Sequence, residues 1–109
     1  MHYDLRDSIN DNCQRMLNAL EPGTEMPIHR HRDTSEVVIL LRGKVRWYYY
    51  DDEGNETQQF LVEATGETKG LCIPKGQWHS MESLETGSVI FETKEVPWTP
   101  LEDIDILHK

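Results

Sequence analysis

The sequence has no long apolar run. Its longest uninterrupted apolar stretch, residues 37–41, has five residues, whereas a helix that spans a membrane needs about 18 or more. The N-terminal residues also lack the basic-then-apolar pattern of a signal peptide, because Asp4, Asp7 and Asp11 interrupt it. We therefore predict neither a membrane span nor a signal peptide, and we expect a cytoplasmic protein.

Cysteine is scarce as well. The chain contains only Cys13 and Cys72, and neither belongs to a Cys-x-x-Cys pair. This pattern excludes a disulfide framework and a zinc site of the Cys-x-x-Cys type. We expect both side chains to be reduced thiols, with a catalytic thiolate or a single disulfide as the alternatives.

Basic residues are in the minority, with 11 Lys and Arg against 20 Asp and Glu and a formal net charge of −9. Because nucleic-acid phosphates are bound by clustered Lys and Arg, this balance argues against a nucleic-acid partner. The bases are concentrated in residues 28–46, whereas residues 51–68 hold acids and no base. The basic stretch would favour a small anionic ligand, unless its cations simply occupy the solvent-facing positions of a strand.

The chain has the length of one domain, and turn-forming residues divide it into short segments. Turns about every 8 to 12 residues are typical of an antiparallel β-sandwich or a small barrel. We therefore predict one all-β domain with at most one or two short helical turns, the first of them at residues 7–13. The predicted strands are residues 14–21, 25–31, 36–42, 44–51, 56–64, 70–73, 78–83 and 88–94.

Three of the histidines form a pattern that suits a metal ion. His29 and His31 are two apart in a predicted strand, so that both imidazoles project from one face. Glu36 follows a short turn that can return its carboxylate beside them, and His79 follows a Pro-x-Gly turn at the start of another strand. His2 and His108 lie near the termini, where chains fray. A lone His-x-His would be weak evidence, but the additional residues predict one metal site.

The spacing of these residues resembles the two motifs of the cupin superfamily. The first motif is Gly23-x5-His29-x-His31-x4-Glu36-x6-Gly43, and Pro74-x-Gly76-x-x-His79 matches the centre of the second. More narrowly, the chain resembles the WbuC family of cupin-fold metalloproteins over residues 15–101. Residues 15–24, 27–31, 73–79, 84–85 and 91–95 carry that resemblance. Thr68, Ser83 and residues 96–98 depart from the usual motifs, which affects loops and the ligand mouth rather than the metal ligands.

The resemblance implies a double-stranded β-helix, or jelly-roll cupin barrel, formed by a single domain over residues 1–109. Its core is expected at about residues 14–95, with terminal extensions that pack on a partner or exchange with it. The resemblance also implies that His29, His31, Glu36 and His79 hold one divalent metal inside the barrel. Three imidazoles and one carboxylate suit Fe, Mn, Ni, Co or Zn and leave two octahedral positions open for water, a bidentate substrate or dioxygen. A purely structural metal is the alternative.

Strand alternation extends the prediction to the rest of the barrel interior. Trp78 should face away from the metal. Glu92 shares a face with Ile90 and Lys94, so that it is either an inward acid–base catalyst or a surface carboxylate. The inward apolar positions are expected to be Val38, Leu40, Val45, Trp47, Tyr49 and Met81.

Two functions fit this site. The chain is either a metal-dependent isomerase, epimerase or oxygenase, or a non-catalytic module that binds or senses a saccharide. In both cases the ligand is a small polar, sugar-derived or anionic molecule, and the WbuC resemblance implies a link to surface-polysaccharide biosynthesis. Arg15, Arg42 or Arg46 would favour an anionic ligand if they line the entrance. We expect a homodimer in which residues 3–13 add to a partner's sheet edge.

Overall fold

β-Strands account for the regular structure of the computed structural model apart from a 3₁₀ turn at Asp105, and the structure describes residues 2–5, 14–24, 26–94 and 105–107. No α-helix occurs in these ranges, and the all-β prediction is confirmed. The helical turn predicted at residues 7–13 lies outside the described residues. The strands are β1 His2–Asp4, β2 Gln14–Leu20, β3 Ile28–His29, β4 Glu36–Arg42, β5 Lys44–Tyr50, β6 Glu56–Glu63, β7 Gly70–Ile73, β8 Trp78–Ser83, β9 Ser88–Lys94 and β10 Ile106–Leu107.

The strands form two antiparallel sheets. Sheet 1 has the order β1-β2-β9-β4-β7, and sheet 2 has the order β10-β3-β8-β5-β6. From β2 onward the chain changes sheet at every connection except the hairpin between β5 and β6. Strands that are distant in the sequence are therefore neighbours in each sheet, which is the topology of a jelly roll.

Alternating burial orients each strand. In β4, Val38 and Leu40 are buried between the sheets, whereas Val37 and Ile39 are exposed. The same alternation in β5 buries Trp47. Because successive side chains of a strand point to opposite faces, the apolar residues of one face build a common core. That core contains Leu20, Val38, Leu40, Val45, Trp47, Tyr49, Val62, Ile73 and Ile90, with Met81 partly buried against it.

The predicted strand at residues 25–31 is much shorter in the structure. Only Ile28–His29 forms β3, and its single aligned position with β8 pairs His29 with His79. Pro27 has no N–H for a sheet ladder, so it limits pairing on the N-terminal side. On the C-terminal side the carbonyl of His31 accepts a hydrogen bond from Gly76 N at 2.8 Å, outside any strand. The strand that carries His29 is thus paired with β8 at one position and with β10 at two.

Glycine makes the tight crossing from β4 to β5 possible. Gly43 has φ 94°, a conformation that side chains with a Cβ rarely adopt. A Cβ at this position would also collide with Ser88. Gly43 therefore lets sheet 1 pass into sheet 2 within one residue.

Trp78 lies on the opposite face of β8 from His79, as expected. Its ring lies 4.4 Å from the guanidinium carbon of Arg30, and its indole N–H donates to Asp52 at 3.0 Å. Cys72 is a free, exposed thiol, while Cys13 lies outside the described residues. Within the described ranges, none of the secondary structure is a helix that could cross a bilayer.

Candidate metal centre

Three histidine side chains converge at one end of the barrel. β3 and β8 place His29 directly opposite His79, and the loop after β3 brings His31 beside them. One ligand nitrogen from each ring can be chosen so that all three lie within 4.8 Å of one another. The ring centroids are 4.2 Å apart for His29 and His79 and 5.4 Å apart for His29 and His31. One ion can be reached by all three rings.

Two of these imidazoles have a defined tautomer. The Nδ1 atom of His29 lies 2.9 Å from the carbonyl oxygen of Pro27, and that of His79 lies 2.9 Å from the carbonyl oxygen of Gln77. A carbonyl oxygen only accepts hydrogen bonds, so each Nδ1 donates its proton. Each Nε2 therefore keeps a free lone pair, which is the form that binds a metal.

Burial keeps the same two rings neutral. His29 and His79 are 8% and 3% exposed. Desolvation lowers the pKa of His29, although its hydrogen bond to Pro27 opposes this change. Desolvation, assisted by the neighbouring His29, lowers the pKa of His79 to about 3. Neither ring needs to lose a proton before it binds a metal at neutral pH.

Glu36 at the start of β4 adds a negative charge to the cluster. Its Oε2 lies 3.2 Å from Nε2 of His31 and 3.6 Å from Nζ of Lys94. Burial on its own would raise the pKa of Glu36, but the hydrogen bond with His31 and the charge of Lys94 lower it to about 2. The carboxylate is therefore ionised at the edge of the three-histidine group.

Glu92 is a second buried carboxyl group in the same region. It is 9% exposed, and its Oε1 accepts a hydrogen bond from Asn18 Nδ2 at 3.0 Å. Desolvation, together with the negative charge of Glu36, raises the pKa of Glu92 to about 7. This inward-facing group can thus hold or release a proton near neutral pH.

Two inward-facing residues of this region had no role assigned from the sequence. Asn18 is placed toward Glu92 because β2 and β9 pair in antiparallel register, and Lys94 follows Glu92 on the inner face of β9. Asn18 lies two residues after the buried Met16, and Lys94 lies four residues after the buried Ile90. Because residues an even number apart share one face of a strand, this spacing could have placed both side chains on the inner face. The identity of their partners required the register between strands.

The three arginines considered for the entrance lie elsewhere. Arg15 and Arg46 occupy outward positions of β2 and β5, next to the buried Met16 and Trp47. Arg42 is exposed at the opposite end of β4 from Glu36. None of the three therefore lies at the histidine cluster, because strand alternation directs Arg15 and Arg46 outward and Arg42 is at the far end of β4. Lys94 is the cation beside the cluster.

The donor set fits a divalent transition metal. Neutral imidazole nitrogens and one carboxylate are ligands that such ions accept. Adjacent ligand atoms at about 2.1 Å from an ion are about 3 Å apart, which is close to the 3.2 Å between His31 Nε2 and Glu36 Oε2. The residues that the resemblance assigned to a metal therefore lie together at one end of the barrel, and His29, His79 and Glu36 are in the protonation states that metal ligands need.

Solved structures with the same fold were found at low sequence identity. The capsular polysaccharide assembling protein CapF from Staphylococcus aureus is 19% identical with a TM-score of 0.73, and the match covers 91% of this chain and 29% of CapF. Oxalate decarboxylase from Bacillus subtilis is 22% identical with a TM-score of 0.66, over 85% of this chain and 24% of the enzyme. BH2720 from Bacillus halodurans is 18% identical with a TM-score of 0.70, and the match covers 83% of this chain and 67% of BH2720.

These similarities show that the chain has the cupin jelly-roll fold. The chain spans 29% of the length of CapF and 24% of the length of oxalate decarboxylase. A search of curated proteins found no significant match. A family model described as "Domain of unknown function (DUF6016)" matches residues 1–62, which is more than half of the sequence. The chain belongs to the DUF6016 family.

Proposed function

We propose that this cupin uses one divalent metal, held by His29, His31, Glu36 and His79, to bind a small polar, anionic molecule and to act on it. The observation that carries the proposal is the pair of hydrogen bonds from Nδ1 of His29 and of His79 to backbone carbonyls. Both bonds leave Nε2 unprotonated, and one ligand nitrogen from each of His29, His31 and His79 lies within 4.8 Å of the other two. Fe, Mn, Ni, Co and Zn are the candidate ions.

The chain's own residues favour an oxygen ligand. A bound metal would polarise a carbonyl, carboxylate or hydroxyl oxygen of the ligand. Lys94 places a positive charge 3.6 Å from Glu36 Oε2, so that it offsets negative charge that accumulates in the site. Glu92, with its pKa raised to about 7, holds a proton that it can exchange with a ligand. A bidentate hydroxy-carbonyl compound or carboxylate satisfies these groups.

The names of the structural neighbours support this ligand class. CapF is described as a capsular polysaccharide assembling protein, and one of its crystal structures contains the inhibitor 3-isopropenyl-tropolone. Oxalate decarboxylase is named for a small dicarboxylate. Together with the WbuC resemblance, these names favour a sugar-derived anion and a place in surface-polysaccharide biosynthesis. A cytoplasmic location and a homodimer remain predictions from the sequence.

The alternative is a binding or sensing module without turnover. Besides Glu36, Glu92 is the one buried carboxyl group of the described part of the chain. An epimerase that removes a proton from one face and returns it to the other uses two such groups. One group suffices for isomerisation by a single acid–base residue, and oxygenation needs none. The site thus favours isomerisation, oxygenation or binding over two-base epimerisation.

Metal and ligand binding can be measured without knowing the reaction. We expect protein purified without added ions to contain about one transition metal per chain, and Co(II)-loaded protein to change its visible spectrum on addition of oxalate, tropolone or a nucleotide sugar. His79→Ala should abolish both signals, whereas His108→Ala should leave them unchanged. Absence of metal binding by the wild type would refute the proposal. NMR of each bound candidate over time then separates turnover from binding.

A further inference from the structure

Residues 105–107, which we call the β10 segment, lie beside the strand that carries His29. The two residues of β10 pair with Ile28 and His29 in antiparallel register, and the N–H of Arg30 donates to the carbonyl oxygen of Asp105 at 3.0 Å. On its other side, β3 is aligned with β8 at one position. More of the pairing of β3 therefore comes from the β10 segment than from β8.

Histidines and arginines alternate along residues 29–32. His29 and His31 belong to the metal cluster inside the barrel, whereas the guanidinium of Arg30 lies over the indole ring on the outer face of sheet 2. Arg32 also reaches the outer side, where it contacts Asp105. This chain segment therefore presents two candidate metal ligands on one side and two cations on the other.

The carboxylate of Asp105 binds both cations. Its Oδ1 accepts a hydrogen bond from Arg32 Nε at 2.7 Å and lies 3.7 Å from Arg30 Nε, while its Oδ2 lies 3.5 Å from Arg32 Nη2. The side chain of Asp105 is 14% exposed and that of Arg30 is 24% exposed. Because these charges are partly buried, salt screens them less than it screens charges in open solvent. One carboxylate thus joins the two arginines that flank His31 in the sequence.

The β10 segment also lies beside His29 on the inner face. Ile106 is aligned with His29, and aligned residues of antiparallel strands project to the same face. His29 therefore has His79 on one side and the half-buried Ile106 on the other. An aliphatic side chain at this position offers no competing metal ligand. The β10 segment is thus close to the histidine segment on both faces of the sheet, through Ile106 inside and Asp105 outside.

We propose that Asp105 is a positioning residue of the metal centre, which holds His29 and His31 in the ligating arrangement through its ion pairs with Arg30 and Arg32. This inference rests on the proposed metal site. A segment that moves freely must lose that freedom when its histidines bind an ion, so that the apparent affinity falls with the fraction of chains in the ligating arrangement. Contacts that fix the segment beforehand therefore raise metal affinity.

His31 makes the need for such contacts clear, because it lies after the end of β3 and outside any strand. Its carbonyl accepts a hydrogen bond from Gly76 N at 2.8 Å, and its ring contacts Glu36. The arginines on either side of it add the two attachments to Asp105. Part of the basic stretch at residues 28–46 is therefore bound by a carboxylate of this chain and does not face the ligand site.

Titration of Asp105→Asn with Co(II) tests the proposal. This change keeps the shape of the side chain and removes its charge, and we expect the dissociation constant to rise by about 10-fold, as for other residues that orient metal ligands. The matched control is Glu63→Gln, which removes the ion pair of Glu63 with Lys44 at 3.7 Å. Lys44 lies at the end of β5 remote from Tyr49, the residue that pairs with His79. The control should bind Co(II) as the wild type does.

Salt dependence distinguishes positioning from a general loss of stability. The Co(II) affinity of the wild type should fall between about 0.05 and 0.5 M KCl more steeply than that of Asp105→Asn, because screening weakens the ion pairs of Asp105. The wild-type measurement requires no variant to fold. Arg32→Gln and Asp105→Asn remove the same contact, so the double variant should bind Co(II) little more weakly than Asp105→Asn alone. Fully additive losses would contradict the role of this ion pair.

Amide hydrogen exchange of metal-free protein gives a measurement that does not involve the metal. The N–H of Arg30, which donates to Asp105, should exchange about 10-fold faster in Asp105→Asn than in the wild type, whereas amides of β5 should keep their rates. A wild type that binds no metal would refute the proposed function, and the exchange rates would still show whether Asp105 holds β3. Unchanged exchange of Arg30, equal Co(II) affinity of Asp105→Asn and wild type, or an equal loss of affinity in Glu63→Gln would each overturn the positioning role.

Discussion

The two ends of the barrel interior are built by the same strands but differ in chemistry. β4 contributes Glu36 to one end and Leu40 to the other, and β9 contributes Glu92 and Ile90 in the same way. The polar end contains Asn18, His29, His31, Glu36, His79, Glu92 and Lys94. The apolar end contains Leu20, Leu40, Val45, Trp47, Val62 and Ile90.

This division places the apolar side chains that stabilise the fold and the ionisable side chains at different ends of one core. Apolar burial stabilises the fold at about 25 cal/mol per Å², whereas buried ionisable groups cost free energy unless they are paired. At the polar end, these groups have partners in Glu36, Lys94, Asn18 and backbone carbonyls. The buried ionisable groups are therefore tolerated because the apolar end supplies the stability that the polar end lacks.

The largest loss of stability is expected for a substitution at the apolar end. Trp47 is 1% exposed in the core, so Trp47→Ala should lower the free energy of unfolding by about 3 to 5 kcal/mol through lost burial and a cavity. Urea denaturation of metal-free protein measures this value. Leu61→Ala is the control, because its side chain is exposed, and it should cost under about 1 kcal/mol. Equal losses in both variants would contradict the assignment of the stabilising core.

Metal removal should have the next largest effect. At a free metal concentration 1,000 times the dissociation constant, binding to the folded chain adds about 4 kcal/mol of stability. Chelation should remove this increment from the wild type. His29→Ala combined with His79→Ala should respond little to either metal or chelator. A wild-type unfolding temperature that is insensitive to both treatments would show that the polar end holds no metal.

The free energy of unfolding of metal-free protein should depend on pH because of the buried carboxyl group of Glu92. Between about pH 4.5 and pH 7, folded protein keeps a proton on Glu92 that the unfolded chain has released. Raising the pH through this window therefore lowers the stability of the wild type relative to Glu92→Gln, by up to ~3 kcal/mol. The exposed residue Glu67 gives a control variant, Glu67→Gln, without this dependence. A pH-independent difference between wild type and Glu92→Gln would contradict the buried position of the carboxyl group.

The smallest effect is expected for Asn18→Ala. Losing the hydrogen bond to Glu92 should lower stability by about 1 kcal/mol. Because that bond lowers the pKa of Glu92, its loss should also move the pH transition described above to higher pH. Denaturation curves at several pH values measure both changes. A shift to lower pH would mean that Asn18 does not stabilise the carboxylate form.

Much of the fold follows from local sequence patterns. The residues of β4, β7, β8 and β9 agree with the predicted segments because turn residues and alternating burial define them. Neither β1 nor β10 was predicted, since two or three residues carry no recognisable period and their pairing depends on strands distant in the sequence. The shortened β3 reflects Pro27 and the loop geometry around His31.

For the candidate site, the sequence indicated most of the residues but not the contacts between them. Motif spacing indicated the three histidines and Glu36, whereas alternation left Glu92 either inward or on the surface. The hydrogen bond from Asn18 and the ion pair of Lys94 with Glu36 depend on the register of β2, β4 and β9, which the sequence of any one strand does not contain. The arginines could not be placed because charge composition does not say on which side of a strand a cation lies.

The single aligned pair between β3 and β8 has a consequence for the order of folding. His29 and His79 face each other only after the intervening strands have been distributed between both sheets. Contacts between residues so distant in the sequence form slowly because a long loop must close first. An ion bound by these histidines would therefore bind the finished barrel and would not assist its early assembly. Refolding should proceed at the same rate with or without metal, and metal should slow unfolding alone.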